Sequence, residues 1–120
     1  DFVTLHVPLT DATHHMIDAR ALSIMKPDAT LINCARGPVV SELALIDTLK
    51  RGHLGGAGLD VFEVEPPANP NPFAGFANVV LTPHHAPGTR DTMVIKFKEI
   101  FANADRFFAG DRMENEISLS

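Results

Sequence analysis

The sequence predicts an α/β fold built on a parallel β-sheet. Short apolar runs of four to seven residues alternate with stretches of helical periodicity along the chain. Proline, glycine or other turn-forming residues separate these runs, which is typical of strands and helices joined by tight connections. At 120 residues and 45% hydrophobic content, the chain has the size and composition of one ordinary domain with its own core.

The predicted strands are the runs 2–7, 29–33, 56–62 and 79–82. Phe2 to Val7 is expected to be a buried strand, because it is dominated by apolar and β-branched residues. A short helix is predicted over 18–25, with Asp18 as its N-cap. A second helix follows Ser41 as N-cap, and Gly52 is the expected C-terminal stop.

The connection over 63–78 has a different composition. It contains four prolines between Pro66 and Pro72, so we expect an irregular surface loop without a helix or central strand. From Thr89 the helical period returns, and a helix of about five turns is predicted up to Gly110. Its apolar positions recur at steps of three and four residues: Val94, Phe97, Phe101, Ala104 and Phe108. A short polar tail follows.

Composition and charge exclude several classes of function. A formal net charge of −5 without a basic run argues against a nucleic-acid partner. No apolar stretch approaches the ~20 residues of a membrane span, and no signal-type segment is visible. Cys34 is the single cysteine, which excludes an internal disulfide and suggests a cytoplasmic protein. Because the chain opens directly on strand-like residues, we expect it to be the carboxyl-terminal piece of a longer protein.

Ligands of open parallel sheets bind beyond the carboxyl ends of the strands. Three segments follow such ends here, "CARGP", "DVFEVEP" and "PHHAP", and we expect them to share one rim. An arginine can grip a carboxylate with two hydrogen bonds, and histidine transfers protons near neutral pH. The rim therefore predicts a site for a small anionic substrate that gains or loses a proton. The residues alone leave open whether His84 or His85 has that role.

Other chemistries have weaker support. Metal-ligand spacings such as HExxH and CxxC do not occur, and adjacent histidines in extended chain point to opposite sides. We therefore predict no metal site. The sequence also has no GxSxG elbow of a serine hydrolase. Cys34 follows a predicted strand, where a cysteine is more often a small packing residue than a nucleophile. The glycines of "GGAGLD" do not form a GxGxxG fingerprint.

Four segments occur in order along the chain: "HVPLT", "MKPDATLINCARGPVV", "GHLGGAGLDVFEVEPP" and "NVVLTPHHAPGT". Together they strongly resemble the D-isomer-specific 2-hydroxyacid dehydrogenases, a family that includes phosphoglycerate dehydrogenases and glyoxylate/hydroxypyruvate reductases. The resemblance runs from Asp1 to about Gly110. It implies the second half of a Rossmann-type, doubly wound parallel sheet plus a long C-terminal helix. Residues 1–88 would be the C-terminal half of an NAD(P)-binding domain, and residues 89–120 a helix and tail that return to a substrate domain.

The resemblance also implies roles for individual residues. Arg36 matches the arginine that binds the substrate's carboxylate and carbonyl. His84 matches the general acid-base, and Glu65 the glutamate that pairs with it. Asp60 matches an acidic residue near the nicotinamide carboxamide. The remaining positions expected to line NAD or NADP are Val7, Pro8, Cys34 and Ala35, together with Arg36 and His84.

The implied substrate is a small 2-keto or 2-hydroxy acid, and the implied assembly is a homodimer of the full-length protein. The chain departs from the family pattern at Ser41, where an acidic residue is usual, and at His85, where "HHAPG" replaces a glycine-rich "HIGG"-like run. Glu65 argues against the formate dehydrogenase branch, which is expected to have glutamine there. Two rival hypotheses remain: a dinucleotide-sensing corepressor of the same architecture, and a self-standing interaction domain.

Overall fold

The fold was taken from a computed structural model that describes residues 1–117. Within that range the strands are β1 (Phe2–Leu5), β2 (Thr30–Asn33), β3 (Gly56–Leu59) and β4 (Val79–Leu81). The α-helices are α1 (Ala19–Ser23), α2 (Glu42–Lys50) and α3 (Arg90–Ala109), and a 3₁₀ turn covers Gly37–Val39. The predicted α/β class and the order of the elements are confirmed.

The four strands form one parallel sheet in the order β1-β2-β3-β4. Their register aligns Leu5, Asn33, Leu59 and Leu81 in a single row across the sheet. All four strands therefore end at the same level of the sheet. The residues that follow them leave one common edge, as the predicted rim requires.

The connections between strands explain where the helices lie. α1 joins β1 to β2, α2 joins β2 to β3, and the two helices pack against each other. Asp18 caps α1 as predicted, because its side chain accepts a hydrogen bond from the N–H of Ala21 at 2.8 Å. Gly52, with a φ of 67°, follows the end of α2 in the left-handed conformation that favours glycine.

The long connection from β3 to β4 contains no helix or strand, in agreement with its prolines. It is not purely a surface loop, however. Phe73 is only 1% exposed and packs in the hydrophobic core. Asn71 holds that position by accepting a hydrogen bond from the N–H of Phe73 at 2.9 Å. One aromatic side chain thus anchors the loop.

The expectation of a buried first strand is wrong. The strand ends at Leu5, and only Leu5 is buried, while Phe2 is 75% exposed. Within residues 1–117, β1 lies at the edge of the sheet and pairs with β2 alone. The core lies further along the sheet and under the helices. Its fully buried large side chains include Leu22, Leu31, Leu45, Leu54, Val39 and Phe73.

The chain divides into two compact units, Asp1–Ala86 and Pro87–Ser120. In the second unit, the predicted long helix is confirmed as the 20-residue α3, with Thr89 as N-cap and Gly110 as a left-handed C-cap. Phe97 and Phe101, one turn apart, stack with ring centroids 6.3 Å apart. The last part of the predicted polar tail, residues 118–120, lies outside the described residues.

Among residues 1–117, no helix combines the length and apolarity that a membrane crossing needs. The assignment of residues 1–88 and 89–120 to two domains stays a prediction.

Candidate active site

Asp60 follows the last residue of β3 and organises the edge of the sheet. It is 2% exposed, and its carboxylate accepts hydrogen bonds from Thr82 Oγ1 (2.6 Å) and from the N–H groups of His85 (2.7 Å) and Ala86 (2.9 Å). Its carbonyl accepts from the N–H of His84 at 2.8 Å. Asp60 therefore holds the backbone of the segment after β4 by contacts on both sides of His84.

The charge of Asp60 is maintained by these contacts. Burial raises the pKa of its carboxyl, but the hydrogen bonds from Thr82, Ala86 and His85 more than offset that effect. The net result is a pKa below the ordinary 3.8, so Asp60 is ionised at neutral pH. The family resemblance implies that Asp60 contacts the cofactor, and that role stays a prediction. Its three accepted hydrogen bonds also give it a structural function that sequence reasoning missed.

His84 has a φ of 54°, the left-handed region that residues with a Cβ seldom adopt. Such a conformation costs on the order of 1 kcal/mol and persists only where neighbouring groups impose it. Here Asp60 imposes it through the backbone of residues 84–86. Extended geometry, which we assumed for both pairs of adjacent histidines, is therefore wrong at His84, and it is also wrong at His15, whose φ is 49°.

The imidazole of His84 is paired with Glu65. Its Nδ1 lies 2.7 Å from Oε2 of Glu65, while Oε1 of Glu65 accepts from the N–H of Phe62 at 3.0 Å. The hydrogen bond from His84, followed by that from Phe62, lowers the pKa of the Glu65 carboxyl below its ordinary 4.5. An ionised carboxylate can only accept, so Nδ1 carries the proton in this pair.

The second ring nitrogen, Nε2, has no hydrogen-bond partner within residues 1–117. The side chain of His84 is 46% exposed, so this nitrogen can reach a bound molecule. A cavity of about 330 Å³ adjoins the pair. Its lining is mainly apolar and comes from the β3–β4 connection and the end of β4: Phe62, Glu65, Pro66, Pro67, Asn71, Leu81, Thr82, Pro83 and His84. The site thus offers an oriented proton-transfer group beside a small cavity.

Arg36 follows β2 and is positioned through its backbone. Asn33, at 1% exposure, donates from Nδ2 to the carbonyl of Arg36 (3.1 Å) and accepts at Oδ1 from the N–H of Ala35 (3.1 Å). The exposed guanidinium makes one hydrogen bond, from Nη1 to the Ala35 carbonyl at 2.7 Å. It makes none to Glu65 or His84 within residues 1–117, so most of its donors are available to an anion.

Gly37 brings the Arg36 loop close to the segment that carries Glu65. A Cβ at Gly37 would lie 1.8 Å from the carbonyl oxygen of Phe62, which no side chain could tolerate. Its φ is not in the left-handed region, so the unusual backbone angle expected for Gly37 is wrong. Glycine is needed there for close backbone approach.

A second cleft, of about 610 Å³, opens at the ends of β1 and β2. It brings together five of the residues predicted to line a cofactor, namely Val7, Pro8, Cys34, Ala35 and Arg36. Asp60 and His84 are not among its lining residues. His6 and Leu9 also line the cleft, and sequence reasoning missed them although His6 directly follows β1.

Cys34 does not have the environment of a nucleophile. Burial, with a smaller contribution from the charge of Asp60, raises the pKa of its thiol. The protonated thiol therefore prevails at neutral pH. Within residues 1–117, no three histidine, cysteine or acidic side chains cluster closely enough to hold a metal ion.

Comparison with known proteins identifies the family. The family model described as "D-isomer specific 2-hydroxyacid dehydrogenase, NAD binding domain" matches residues 1–86. The chain belongs to this family. Within the D-isomer-specific 2-hydroxyacid dehydrogenases, it is 45% identical over 118 residues to a glyoxylate reductase from Thermococcus litoralis. That match covers 98% of this chain and 35% of the relative.

Solved structures of the family have the same fold. One is a D-lactate dehydrogenase with NAD⁺ from Lactobacillus jensenii, with a TM-score of 0.88 and 32% identity over 98% of this chain. Another is a D-isomer specific 2-hydroxyacid dehydrogenase from Xanthobacter autotrophicus Py2 in complex with NADPH and MES, with a TM-score of 0.74 and 39% identity over 98% of this chain. This chain spans 39% and 48% of those two chains. The resemblance and the Rossmann-type sheet predicted from sequence are confirmed.

Proposed function

We propose that this chain is the part of an NAD(P)-dependent D-2-hydroxyacid dehydrogenase that carries its catalytic residues. The observation that supports this most is the His84–Glu65 pair, in which Nδ1 is bound at 2.7 Å and Nε2 has no partner within the described chain. An imidazole that a carboxylate holds in one orientation is suited to transfer a proton to a developing alkoxide.

NAD or NADP is the proposed cofactor. The 610 Å³ cleft offers apolar surface from Val7, Pro8 and Ala35, with a guanidinium from Arg36 at its margin. That combination suits a planar ring with polar substituents and a nearby anionic substrate. These residues would hold the cofactor, with Cys34 as a further packing contact. When bound, the reduced nicotinamide supplies the hydride.

The substrate would be a small 2-keto or 2-hydroxy acid. The Arg36 guanidinium would bind its carboxylate and stabilise negative charge on the carbonyl oxygen. His84 Nε2 would donate a proton to that oxygen during reduction and recover it during oxidation. Glu65 would hold the ring in the orientation that presents Nε2 to the substrate. A homodimer of the full-length protein, which the family resemblance implies, is part of the proposal.

The adjacent histidines provide the test. In the full-length protein, His84→Ala should lower kcat for NADH- or NADPH-dependent reduction of glyoxylate or hydroxypyruvate by about 10²- to 10⁴-fold. His85→Ala is the matched control and should have a far smaller effect, because His85 is held through its backbone N–H and not through its ring. Steady-state kinetics of both variants would measure the difference.

Equal kcat values for wild type and His84→Ala would remove His84 from the mechanism. A wild-type protein that binds dinucleotide but turns over no 2-keto acid would favour the corepressor-like alternative. Calorimetric titration with NADH and with NADPH would distinguish that result from a failure to bind cofactor.

A further inference from the structure

Glu63 lies two residues before Glu65 and connects three separate parts of the first unit. Its Oε1 accepts a hydrogen bond from the N–H of Glu42, the first residue of α2, at 2.8 Å. Oε1 also lies 3.0 Å from Nε2 of His15, which follows β1. In return, the N–H of Glu63 donates to Oε1 of Glu42 at 2.7 Å. The proposed function assigns no role to these three residues.

The exchange between Glu42 and Glu63 replaces an ordinary helix cap. Ser41 occupies the N-cap position of α2 as predicted, but its side chain makes no capping hydrogen bond. The carboxylate of Glu63, 21 residues further along the chain, satisfies a first-turn N–H of α2 instead. A negative charge at this end of a helix is favourable. The beginning of α2 is thereby tied to the turn that leads to Glu65.

His15 adds the third connection. Its backbone is fixed in a left-handed conformation, with a φ of 49°, and its N–H donates to the carbonyl of Pro38 at 2.8 Å. Two further backbone hydrogen bonds, from Ile17 to Val39 and from Ser41 to Ile17, join this loop to the segment after Arg36. The His15 ring is therefore held where its Nε2–H can donate to Glu63.

This arrangement bears on the proposed active site, because Gly37 packs directly against the carbonyl of Phe62. At that point the Arg36 loop lies against backbone atoms of Phe62 and Glu63. A few residues away, the two hydrogen bonds exchanged by Glu42 and Glu63 join the same two segments, and both side chains are only partly exposed. Burial raises the pKa of the Glu42 carboxyl; the hydrogen bond from the N–H of Glu63 opposes this effect and the charge of Glu63 adds to it, with a net increase.

We propose that Glu63, with Glu42 and His15 as its partners, is a positioning residue that holds the Glu65 turn against the Arg36 loop. It acts on the reaction through Glu65 and hence through the ring of His84, and it touches no reacting atom. The proposal rests on the proposed function for its catalytic consequence. Its structural consequence, a fixed hydrogen bond between His84 and Glu65, is independent of any reaction.

Glu63→Ala in the full-length protein tests the proposal. We expect kcat to fall by about 10- to 10²-fold, since a displacement of about 1 Å in a catalytic group has effects of that size. The downfield ¹H resonance of the imidazole N–H shared by His84 and Glu65, assigned by its loss in His84→Ala, should shift or broaden. Asp47→Asn, which breaks an exposed ion pair with Arg51 on the same helix, is the matched control and should change neither readout.

Glu63→Gln separates positioning from general destabilisation. The amide oxygen can still accept from the N–H of Glu42, so part of the kcat and the resonance should return. Folded Glu63→Ala with wild-type kcat and an unchanged resonance would overturn the proposal. If Glu63→Ala does not fold, His15→Ala, which removes the donor to Oε1 of Glu63, takes its place, and a wild-type kcat with an unchanged resonance in that variant would overturn the proposal. If the wild type catalyses no reduction, the proposed function fails, and the resonance alone still decides the positioning proposal.

Discussion

His84 and Arg36 stand at the same edge of the sheet but are held in different ways. The backbone of His84 is fixed by Asp60 and its ring by Glu65. The backbone of Arg36 is held by Asn33 and Val39, while its guanidinium donates one hydrogen bond to the Ala35 carbonyl and is otherwise exposed. The His84 ring is therefore oriented before any ligand binds, whereas the Arg36 guanidinium is near the site without a fixed orientation.

The difference corresponds to what each group would do. A proton donor has to present one particular ring nitrogen, so its tautomer and orientation need fixing in advance. An anion-binding guanidinium carries its charge in every orientation and has five donors to offer. Backbone placement is sufficient for it, because the anion itself completes the geometry. Weakening each of these contacts in turn tests the comparison.

Asp60→Ala should have the largest effect. It leaves the Thr82 hydroxyl and the N–H groups of His85 and Ala86 without their buried acceptor. Because Thr82, His85 and Ala86 are exposed, water can satisfy part of their donors, and the free energy of unfolding should fall by about 1–3 kcal/mol in total. Urea unfolding followed by circular dichroism would measure the loss. Asp47→Ala, at an exposed ion pair, should change stability by less than about 1 kcal/mol. Similar losses in both variants would contradict the role of Asp60.

Arg36→Ala should act on the substrate and hardly on the fold. Losing charge-assisted hydrogen bonds worth about 1.5–3 kcal/mol should lower kcat/KM for a 2-keto acid by about 10- to 10²-fold. Arg36→Lys should recover only part of the lost kcat/KM, because the ammonium group keeps the positive charge but lacks the planar fork of donors of a guanidinium. Steady-state kinetics, with thermal melting as the fold control, would check both variants. A large fall in melting temperature would show that the Arg36 side chain also supports the fold.

The smallest effect concerns the pH dependence of stability through Glu65. Its carboxyl has a lowered pKa in the folded chain, chiefly because of the hydrogen bond from His84. Its stabilising contribution is therefore present above the ordinary pKa of 4.5 and is lost as the pH falls through the lower, folded value. Glu65→Gln should remove this part of the acid sensitivity. Urea midpoints measured at pH values on both sides of 4.5 would detect it. Parallel curves for wild type and variant would refute the linkage.

The order and approximate positions of the strands and helices could be predicted from local pattern, because turn residues and periodicity act over a few neighbouring residues. The predicted strands 2–7 and 56–62 end earlier, at Leu5 and Leu59. The helix boundaries show this directly. The side chains of Asp18 and Thr89 cap the beginnings of two helices. Glycines in the left-handed conformation follow the ends of two helices at Gly52 and Gly110. The solvent exposure of individual side chains was harder to predict from the sequence. Phe2 has the character of a buried residue, but it lies in an edge strand.

The rim itself followed from sequence, given only that parallel strands end at one edge. The family resemblance then distinguished His84 from His85, and the structure adds the reason why the two differ. His84 has a left-handed backbone, and the next two N–H groups donate to the Asp60 carboxylate. His84 and His85 therefore have different surroundings. No spacing rule contains that information, because it depends on a carboxylate 24 residues away.

The sequence by itself determined the α/β class, the order of the elements and the set of polar residues that follow the strands. The family resemblance already implied the pairing of His84 with Glu65. The tertiary structure alone gave Asp60 its three donors, required glycine at position 37 and placed Glu63 at the beginning of α2. The physical reason is range: propensity and capping act between near neighbours, whereas hydrogen bonds between distant segments depend on the register of the sheet that brings them together.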